Sequence, residues 1–151
     1  MKNTLLKLIV SVAFLFLLSS CKDSKLTYAY LMQHPALMQQ ELIRCQMVVV
    51  QDEQCSLVKR ASSDFATLMT ELQTNQEQFG EKIMRAQWLQ ATSHQEIIEI
   101  KKKIAELSQD PAQSKQLDEA KQNLQKAEVV YQTQRSNAKI LIAVVGMMRM
   151  E

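Results

Sequence analysis

The chain has 151 residues, including 18 lysine or arginine and 16 aspartate or glutamate residues, but only two glycines, two prolines and one tryptophan. Strands and tight loops need glycine, proline and runs of β-branched or aromatic residues, so this composition predicts an all-α protein. Phosphate-binding loops need several glycines at fixed spacing, which excludes nucleotide binding by a P-loop or a Rossmann turn. The two histidines, His34 and His94, are sixty residues apart, and we predict no catalytic, metal or cofactor-binding site.

Residues 1–20 have the proportions of a secretory signal peptide. Lys2 and Lys7 provide a basic start, and residues 8–18 are apolar apart from Ser11. This segment is shorter than the roughly 20 residues that a transmembrane helix needs, so we interpret it as a signal removed on export. Its removal leaves 16 of the 18 basic side chains against 16 acidic ones. The mature chain is then neutral, and its charge does not support nucleic-acid binding.

A lipidation motif closes this signal. Leu18, Ser19, Ser20 and Cys21 resemble the lipobox of bacterial lipoproteins, which implies cleavage before Cys21 and covalent attachment of diacylglyceryl and acyl chains to that cysteine. Two or more such chains would hold the protein on a membrane. Lys22 stands where aspartate would favour the inner membrane, so we expect the periplasmic face of a Gram-negative outer membrane. An ordinary signal cleaved near Ser20, with a free Cys21, is the alternative.

Residues 21–33 are predicted to form a lipidated tether, and residues 34–61 a helical segment. Pro35 suits the first position of a helix because its missing N–H costs nothing there, so a helix should begin near His34. Apolar residues then recur at helical spacing to about Met47. An apolar run followed by polar residues indicates a connector after that point.

A heptad pattern predicts a long second helix from Cys55 to Leu107. All but four of its core positions are apolar, and the polar exceptions are Ser62, Gln76, Gln90 and Ser93. A straight helix over this range would be about 80 Å long. We expect a bend or break at Gly80 or at a polar core position. The two glutamines would either set the register of an oligomer or face solvent.

Residues 108–114 contain a proline and interrupt the heptad pattern, which predicts the turn of a helical hairpin. A third helix with its own heptad pattern follows to Met148. Folded back, it would cover the second helix from Leu107 toward about Gln76. The predicted fold is an elongated antiparallel, coiled-coil-like hairpin over residues 55–148, in one domain with the short N-terminal helix.

The stretch of residues 140–148 is strongly apolar, although it is too short to span a membrane. Packing in the core at the open end of the hairpin is one interpretation. A surface that binds a membrane or a partner is the other, since such a patch would otherwise promote aggregation.

Two further cysteines lie where the first predicted helix ends and the second begins. In an oxidising periplasm, the pair Cys45 and Cys55 is most simply a disulfide. Closing this short loop would stabilise the fold by about 2 to 3 kcal/mol on the loop-entropy model. Two free buried thiols are the alternative.

The N-terminal part of the chain combines a lipobox, a short polar tether, a tyrosine ahead of a His-Pro helix start, a leucine and two spaced cysteines. The residues concerned are Cys21, Tyr30, His34, Pro35, Leu42, Cys45 and Cys55. Together they resemble the EexN family of entry-exclusion lipoproteins, over residues 1 to about 61. Members of that family hinder redundant conjugative transfer into cells that already carry the same element. The resemblance implies a non-enzymatic envelope protein whose partner is a component of a type IV secretion system.

Two other functions remain open. The hairpin would also suit a structural coiled-coil lipoprotein or an assembly factor of a secretion or envelope complex, with self-association through its helices. A periplasmic inhibitor or immunity protein would need a protruding loop, and only residues 48–54 qualify.

Overall fold

The computed structural model describes residues 26–47 and 52–149, and the regular structure within them is helical throughout. In chain order these residues form α1 (Tyr28–Gln33), α2 (Pro35–Met47), α3 (Glu53–Thr74), α4 (Gln76–Leu107), a 3-10 turn (Pro111–Gln113) and α5 (Ser114–Met148). The predicted all-α fold is confirmed. The predicted signal peptide, its cleavage site and residues 48–51 of the connector lie outside the described residues.

The two longest helices, α4 and α5, form the predicted antiparallel hairpin. The ring centroids of His94 and Tyr131 lie 5.3 Å apart across it. Nearer the tip, Lys101 Nζ lies 3.6 Å from a carboxylate oxygen of Glu128. Both of these charged side chains are about half exposed, so the ion pair adds at most about 1 kcal/mol. The hairpin therefore depends mainly on its apolar heptad positions.

The tip of the hairpin is organised by Asp110. Its Oδ1 accepts a hydrogen bond of 2.9 Å from the backbone N–H of Ala112, and its Oδ2 accepts one of 2.9 Å from Gln113 Nε2. The hydrogen bond from Gln113, and then that from Ala112, lowers the pKa of this exposed carboxyl below its ordinary value. The turn predicted for residues 108–114 is confirmed.

The open end of the hairpin is part of a larger packed unit. We call this unit the head: α1, α2, α3, the first part of α4 and the last part of α5. Its buried residues form one cluster: Leu31, Met32, Met38, Cys45, Cys55, Val58, Ala61, Phe65, Phe79, Ala86, Ala138, Leu141 and Val144. Leu141 and Val144 belong to the apolar stretch 140–148, so one side of this stretch packs in the core, as in the first interpretation, whereas Ile142 on its other side is 50% exposed.

The rest of the hairpin, residues 87–137, projects beyond the head and is called the stalk. Its buried side chains are Ser93, Ile97, Leu107, Ala120 and Ala127. The hydroxyl of Ser93 donates a 3.0 Å hydrogen bond to the backbone carbonyl of Gln90, so this polar core position is satisfied within its own helix. Three of these five buried side chains are small, so the stalk buries fewer large apolar side chains than the head does.

The long second helix of the sequence prediction is divided at Asn75, whose φ of −148° and ψ of 75° are not helical. The break directly precedes Gln76, one of the polar positions at which we expected it, whereas Gly80 lies inside α4. In a straight helix, Glu71 and Lys82 would be about 16 Å apart along the axis. Lys82 Nζ instead lies 2.6 Å from Glu71 Oε1, so α3 and α4 meet at a sharp bend.

The predicted tether requires a correction. Residues 21–33 were expected to be a linker, but Tyr28–Gln33 forms a helix with Leu31 and Met32 buried in the head. The hydroxyl of Thr27 accepts a 3.2 Å hydrogen bond from the backbone N–H of Tyr30 and caps this helix. The folded part of the protein therefore begins before His34, where Pro35 predicted that the first helix would start.

Candidate recognition surface

The Cys45–Cys55 disulfide joins the last turn of α2 to the first turn of α3. The S–S distance is 2.06 Å, the Cα–Cα distance is 5.4 Å, and both cysteines are buried. Asp52 Oδ1 caps α3 by accepting a 2.8 Å hydrogen bond from the backbone N–H of Cys55. The predicted disulfide is confirmed, and its presence indicates an oxidising compartment outside the cytoplasm.

At the opposite end of α2 from the disulfide, two aromatic side chains lie at the junction of α1 and α2. The rings of Tyr30 and His34 stack with their centroids 4.0 Å apart. His34 Nδ1 donates a 2.8 Å hydrogen bond to the backbone carbonyl of Tyr30. Tyr30 is 45% exposed and His34 is exposed. The stack is therefore fixed to the backbone of α1 and exposed on the surface. Pro35 begins α2, as predicted.

The solvent-facing side of α2 continues this exposed area. Four residues at alternating spacings of four and three share one side of the helix: Ala36, Gln40, Ile43 and Met47. Ile43 is 53% exposed and Met47 is 79% exposed. We call this set, together with Tyr30 and His34, the N-terminal face. It combines apolar, aromatic and polar side chains, as protein-binding surfaces do.

Contacts from α1 to two other helices hold the N-terminal face in place. The Tyr28 hydroxyl donates a 2.8 Å hydrogen bond to Asp64 Oδ2 of α3, and the Arg60 guanidinium lies 5.5 Å from the centroid of the Tyr28 ring. On the other side, Gln33 Nε2 donates a 3.0 Å hydrogen bond to Ser136 Oγ of α5. Burial, followed by the hydrogen bond to Asp64, raises the pKa of Tyr28 above its ordinary value.

The structural role of Tyr28 was not predicted, because residues 21–33 were expected to form the tether. A signal was nevertheless present: Thr27 is a good capping residue, and Tyr28, Leu31 and Met32 follow at the three- and four-residue spacing of a helix face. Six residues are too few for a periodic pattern to stand out.

An open groove runs between α1 and the stalk, with a volume of about 1060 Å³. Ile97, Val129 and Ile140 contribute apolar surface to its lining, and His94 and Tyr131 contribute aromatic surface. Val129 is 68% exposed. The groove therefore offers broad, solvent-accessible contact next to the N-terminal face.

Within residues 26–47 and 52–149, no three side chains of the metal-ligating types come together. None of the helices described is both long enough and apolar enough to cross a membrane. Of the predicted site residues, Cys45 and Cys55 are joined, whereas Leu18, Ser19, Ser20 and Cys21 lie outside the described part of the chain.

No protein-family model matches this chain, and no significantly similar protein was found among curated proteins or solved structures.

Proposed function

We propose that this protein is a non-enzymatic lipoprotein of the Gram-negative envelope, anchored through Cys21 and facing the periplasm, with the outer membrane favoured. It acts by binding a protein partner and needs no cofactor beyond its covalent lipid. Its specific role is entry exclusion: in a recipient cell it hinders redundant conjugative transfer by a type IV secretion system. Nucleic acid is not a partner in this proposal.

The observation that carries the proposal is the clustering of the residues on which the EexN resemblance depends. Six of them fall within the described residues: Tyr30, His34, Pro35, Leu42, Cys45 and Cys55. They lie in α1, at the residue that joins α1 to α2, in α2 and in the first turn of α3, and these helices contact one another. Leu42 packs against the head core, the cysteines clip two helices together, and the Tyr30–His34 stack faces solvent. This arrangement supports the interpretation that the six residues belong to one folded module, on which the Tyr30–His34 pair is exposed.

The proposed anchor would keep this module close to the membrane. From Cys21 to Leu26 the chain spans five residue steps, so it reaches at most about 18 Å when fully extended. The backbone carbonyl of Leu26 in turn accepts a 3.3 Å hydrogen bond from Gln54 Nε2, beside the disulfide. The N-terminal face would therefore work near the lipid surface, with the stalk available for contact further away.

A mating assay tests the proposal. Recipient cells that express the protein should receive the cognate conjugative element at least about tenfold less often than recipients with an empty vector. Cys21→Ser should abolish exclusion by mislocalising the protein, although the protein remains folded. Unchanged transfer into recipients with well-expressed wild-type protein would refute the exclusion function.

A pair of surface variants tests whether the N-terminal face carries the recognition. Tyr30→Ala combined with His34→Ala should weaken exclusion while expression and helix content stay unchanged. Gln116→Ala, on an exposed position of the stalk, is the matched control and should leave exclusion intact. Equal exclusion by both proteins would place the recognition surface elsewhere.

The second candidate is a structural lipoprotein or assembly factor of a secretion or envelope complex. The observation that favours it is the length of the hairpin, since the 32 residues of α4 extend over about 48 Å. Cross-linking followed by purification from envelopes discriminates the two functions. Stoichiometric recovery with the cell's own machinery, in cells without a donor, would favour the structural function over exclusion. The inhibitor function depends on a loop, most of which lies outside the described residues.

A further inference from the structure

A second apolar face runs along α4. Met84 and Trp88 are each 64% exposed, and Ile98 is 48% exposed. Ala91 and Gln95 complete the same face at alternating spacings of four and three residues. We call these five residues the outer face of α4. Trp88 is the only tryptophan of the chain, and tryptophan is the residue type most enriched at the energetic centres of protein interfaces.

The outer face is separate from the contact with α5. Its residues lie about half a helical turn away from Ala86, Ser93 and Ile97, which are buried. Helix α4 is therefore apolar on two opposite sides, and α5 covers one of them. A helix with two such sides is suited to packing between two neighbours, as in helical bundles.

The charges that flank the outer face point to its occupant. Glu81 and Arg85 lie toward the head end of α4, and Glu99 and Lys102 lie toward the tip. All four side chains are exposed. None of them takes part in the ion pairs found within residues 26–47 and 52–149. Along α4 these four side chains therefore run acidic, basic, acidic, basic. When a second α4 lies antiparallel beside the first, each acidic side chain is matched by a basic one.

We infer that the outer face binds a second copy of this chain, with the two α4 helices antiparallel and related by a twofold axis that crosses the outer face between Ala91 and Gln95. In this register Trp88 of one copy packs against Ile98 of the other, and Met84 lies along the aliphatic part of Lys102. The small Ala91 stands opposite Gln95 and lets the helices approach. Symmetry makes each of these contacts twice.

Charge decides between the antiparallel register and a parallel one. The antiparallel register brings Arg85 of each copy beside Glu99 of the other, and Glu81 within about one helical turn of Lys102. A parallel, in-register pair would place Glu81 against Glu81 and Lys102 against Lys102, and like charges at a helix interface are destabilising. The antiparallel dimer therefore satisfies both the apolar and the charged residues of this face.

Disulfide trapping of the full-length protein in cells tests the register. Glu81 and Ala105 face each other between copies in the antiparallel dimer, whereas within one helix they are about 36 Å apart. The double variant Glu81→Cys, Ala105→Cys should form a covalent dimer on a non-reducing gel. Each single variant, and the wild-type protein, should not. A dimer trapped by Glu81→Cys alone would overturn the antiparallel arrangement.

A charge substitution tests the interface itself. Trp88→Glu should raise the dimer dissociation constant by about 100-fold or more, because it removes two central anchors and adds unpaired charge at the interface. Val129→Glu, at a residue of similar exposure outside the outer face, is the matched control and should leave the dissociation constant unchanged. Sedimentation of the full-length protein in mild detergent measures both constants, and circular dichroism checks that helix content is retained.

The outcomes are separable from those of the mating assay. A monomeric wild-type protein, or a dimer that survives Trp88→Glu, would overturn the dimer whatever its effect on transfer. If Trp88→Glu does not fold, the trapped dimer of the Glu81→Cys, Ala105→Cys variant decides, since both of those residues lie at the edge of the interface. Absence of trapping in that variant would count against the inference.

Discussion

At the scale of single residues, Tyr28 shows how a side chain outside any recognisable motif can hold a surface in place. Its hydroxyl bonds to Asp64 of α3, while its helix is also bonded to α5 through Gln33. The N-terminal face therefore depends on contacts with helices that lie more than thirty residues away along the chain. A substitution at Tyr28 should therefore lower the free energy of unfolding, and the size of this loss should depend on pH.

We expect Tyr28→Phe to destabilise the protein by about 0.5 to 1 kcal/mol at neutral pH, since a partly exposed hydrogen bond to a carboxylate is lost. The pKa of Tyr28 is raised in the folded state, so the protonated phenol is the form that the fold stabilises. The stabilisation that the protonated phenol provides is fully present below about pH 10, the ordinary pKa of tyrosine. It is lost as the pH rises through the raised pKa of Tyr28. Denaturant unfolding from pH 8 upward measures it.

The difference in stability between wild type and Tyr28→Phe should therefore narrow above about pH 10. Asp64→Asn, which removes the charged acceptor, should move the pKa of Tyr28 back toward its ordinary value without abolishing the effect of burial. A stability difference that is constant across this pH range would contradict the assignment.

At the scale of elements, Asn75 determines where one helix ends and the next begins. Its side-chain Oδ1 accepts a 3.1 Å hydrogen bond from the backbone N–H of Gln78 and caps α4, while its own N–H bonds to the carbonyl of Glu71 at the end of α3. One residue thus serves both helix ends. Phe79, in the first turn of α4, is fully buried directly after the bend.

We expect Asn75→Ala to lower the free energy of unfolding by about 1 kcal/mol, because the capping hydrogen bond is lost. Asn75→Asp keeps a capping oxygen and should stay close to wild type. Thermal or denaturant unfolding followed by circular dichroism distinguishes the two variants. Equal stability of Asn75→Ala and wild type would show that the bend is held by tertiary packing alone.

The disulfide also acts between elements, because it links α2 to α3. Replacing both Cys45 and Cys55 by alanine should lower the free energy of unfolding by about 2 to 3 kcal/mol, from the entropy regained by the unfolded chain. Addition of a reducing agent is the control. It should lower the free energy of unfolding of the wild-type protein by a similar amount and leave that of the double variant unchanged. A double variant as stable as the oxidised protein would contradict a stabilising role.

At the scale of the whole molecule, stability is unevenly distributed between head and stalk. The head shares one core among five helices, including the large side chains of Phe65, Phe79 and Leu141. The stalk consists of two helices and buries mainly small side chains, such as Ala120 and Ala127. Local opening should therefore begin near the tip of the stalk.

Hydrogen exchange of the full-length protein measures this difference. We expect backbone amides around residues 100–125 to exchange before those of residues 58–72 and 138–144, with free energies of opening below that of global unfolding. The antiparallel dimer would protect α4 more than α5 in the stalk, so Trp88→Glu should accelerate exchange mainly in α4. Uniform protection from tip to head would contradict the uneven core.

The sequence alone determined the features that depend on local chemistry. Scarce glycine and proline indicated helices, and the heptad spacing identified the buried sides of α4 and α5. Pro111 marked the turn, and the even pair Cys45 and Cys55 indicated the disulfide. Each of these signals is short-ranged, because helix periodicity, backbone restriction and loop closure act within a few turns of chain.

Only the tertiary structure decided the features that depend on distant partners. Short α1 is stable because α3 and α5 bury Leu31 and Met32, and Asn75 ends α3 where the chain must turn back onto one core. The heptad pattern passes through Asn75 without a shift, so periodicity could not distinguish a straight helix from a bent one. The heptad pattern identified the side of α4 that α5 covers, but only the packed structure showed that α4 has a second apolar side, with Trp88 on it, that stays exposed.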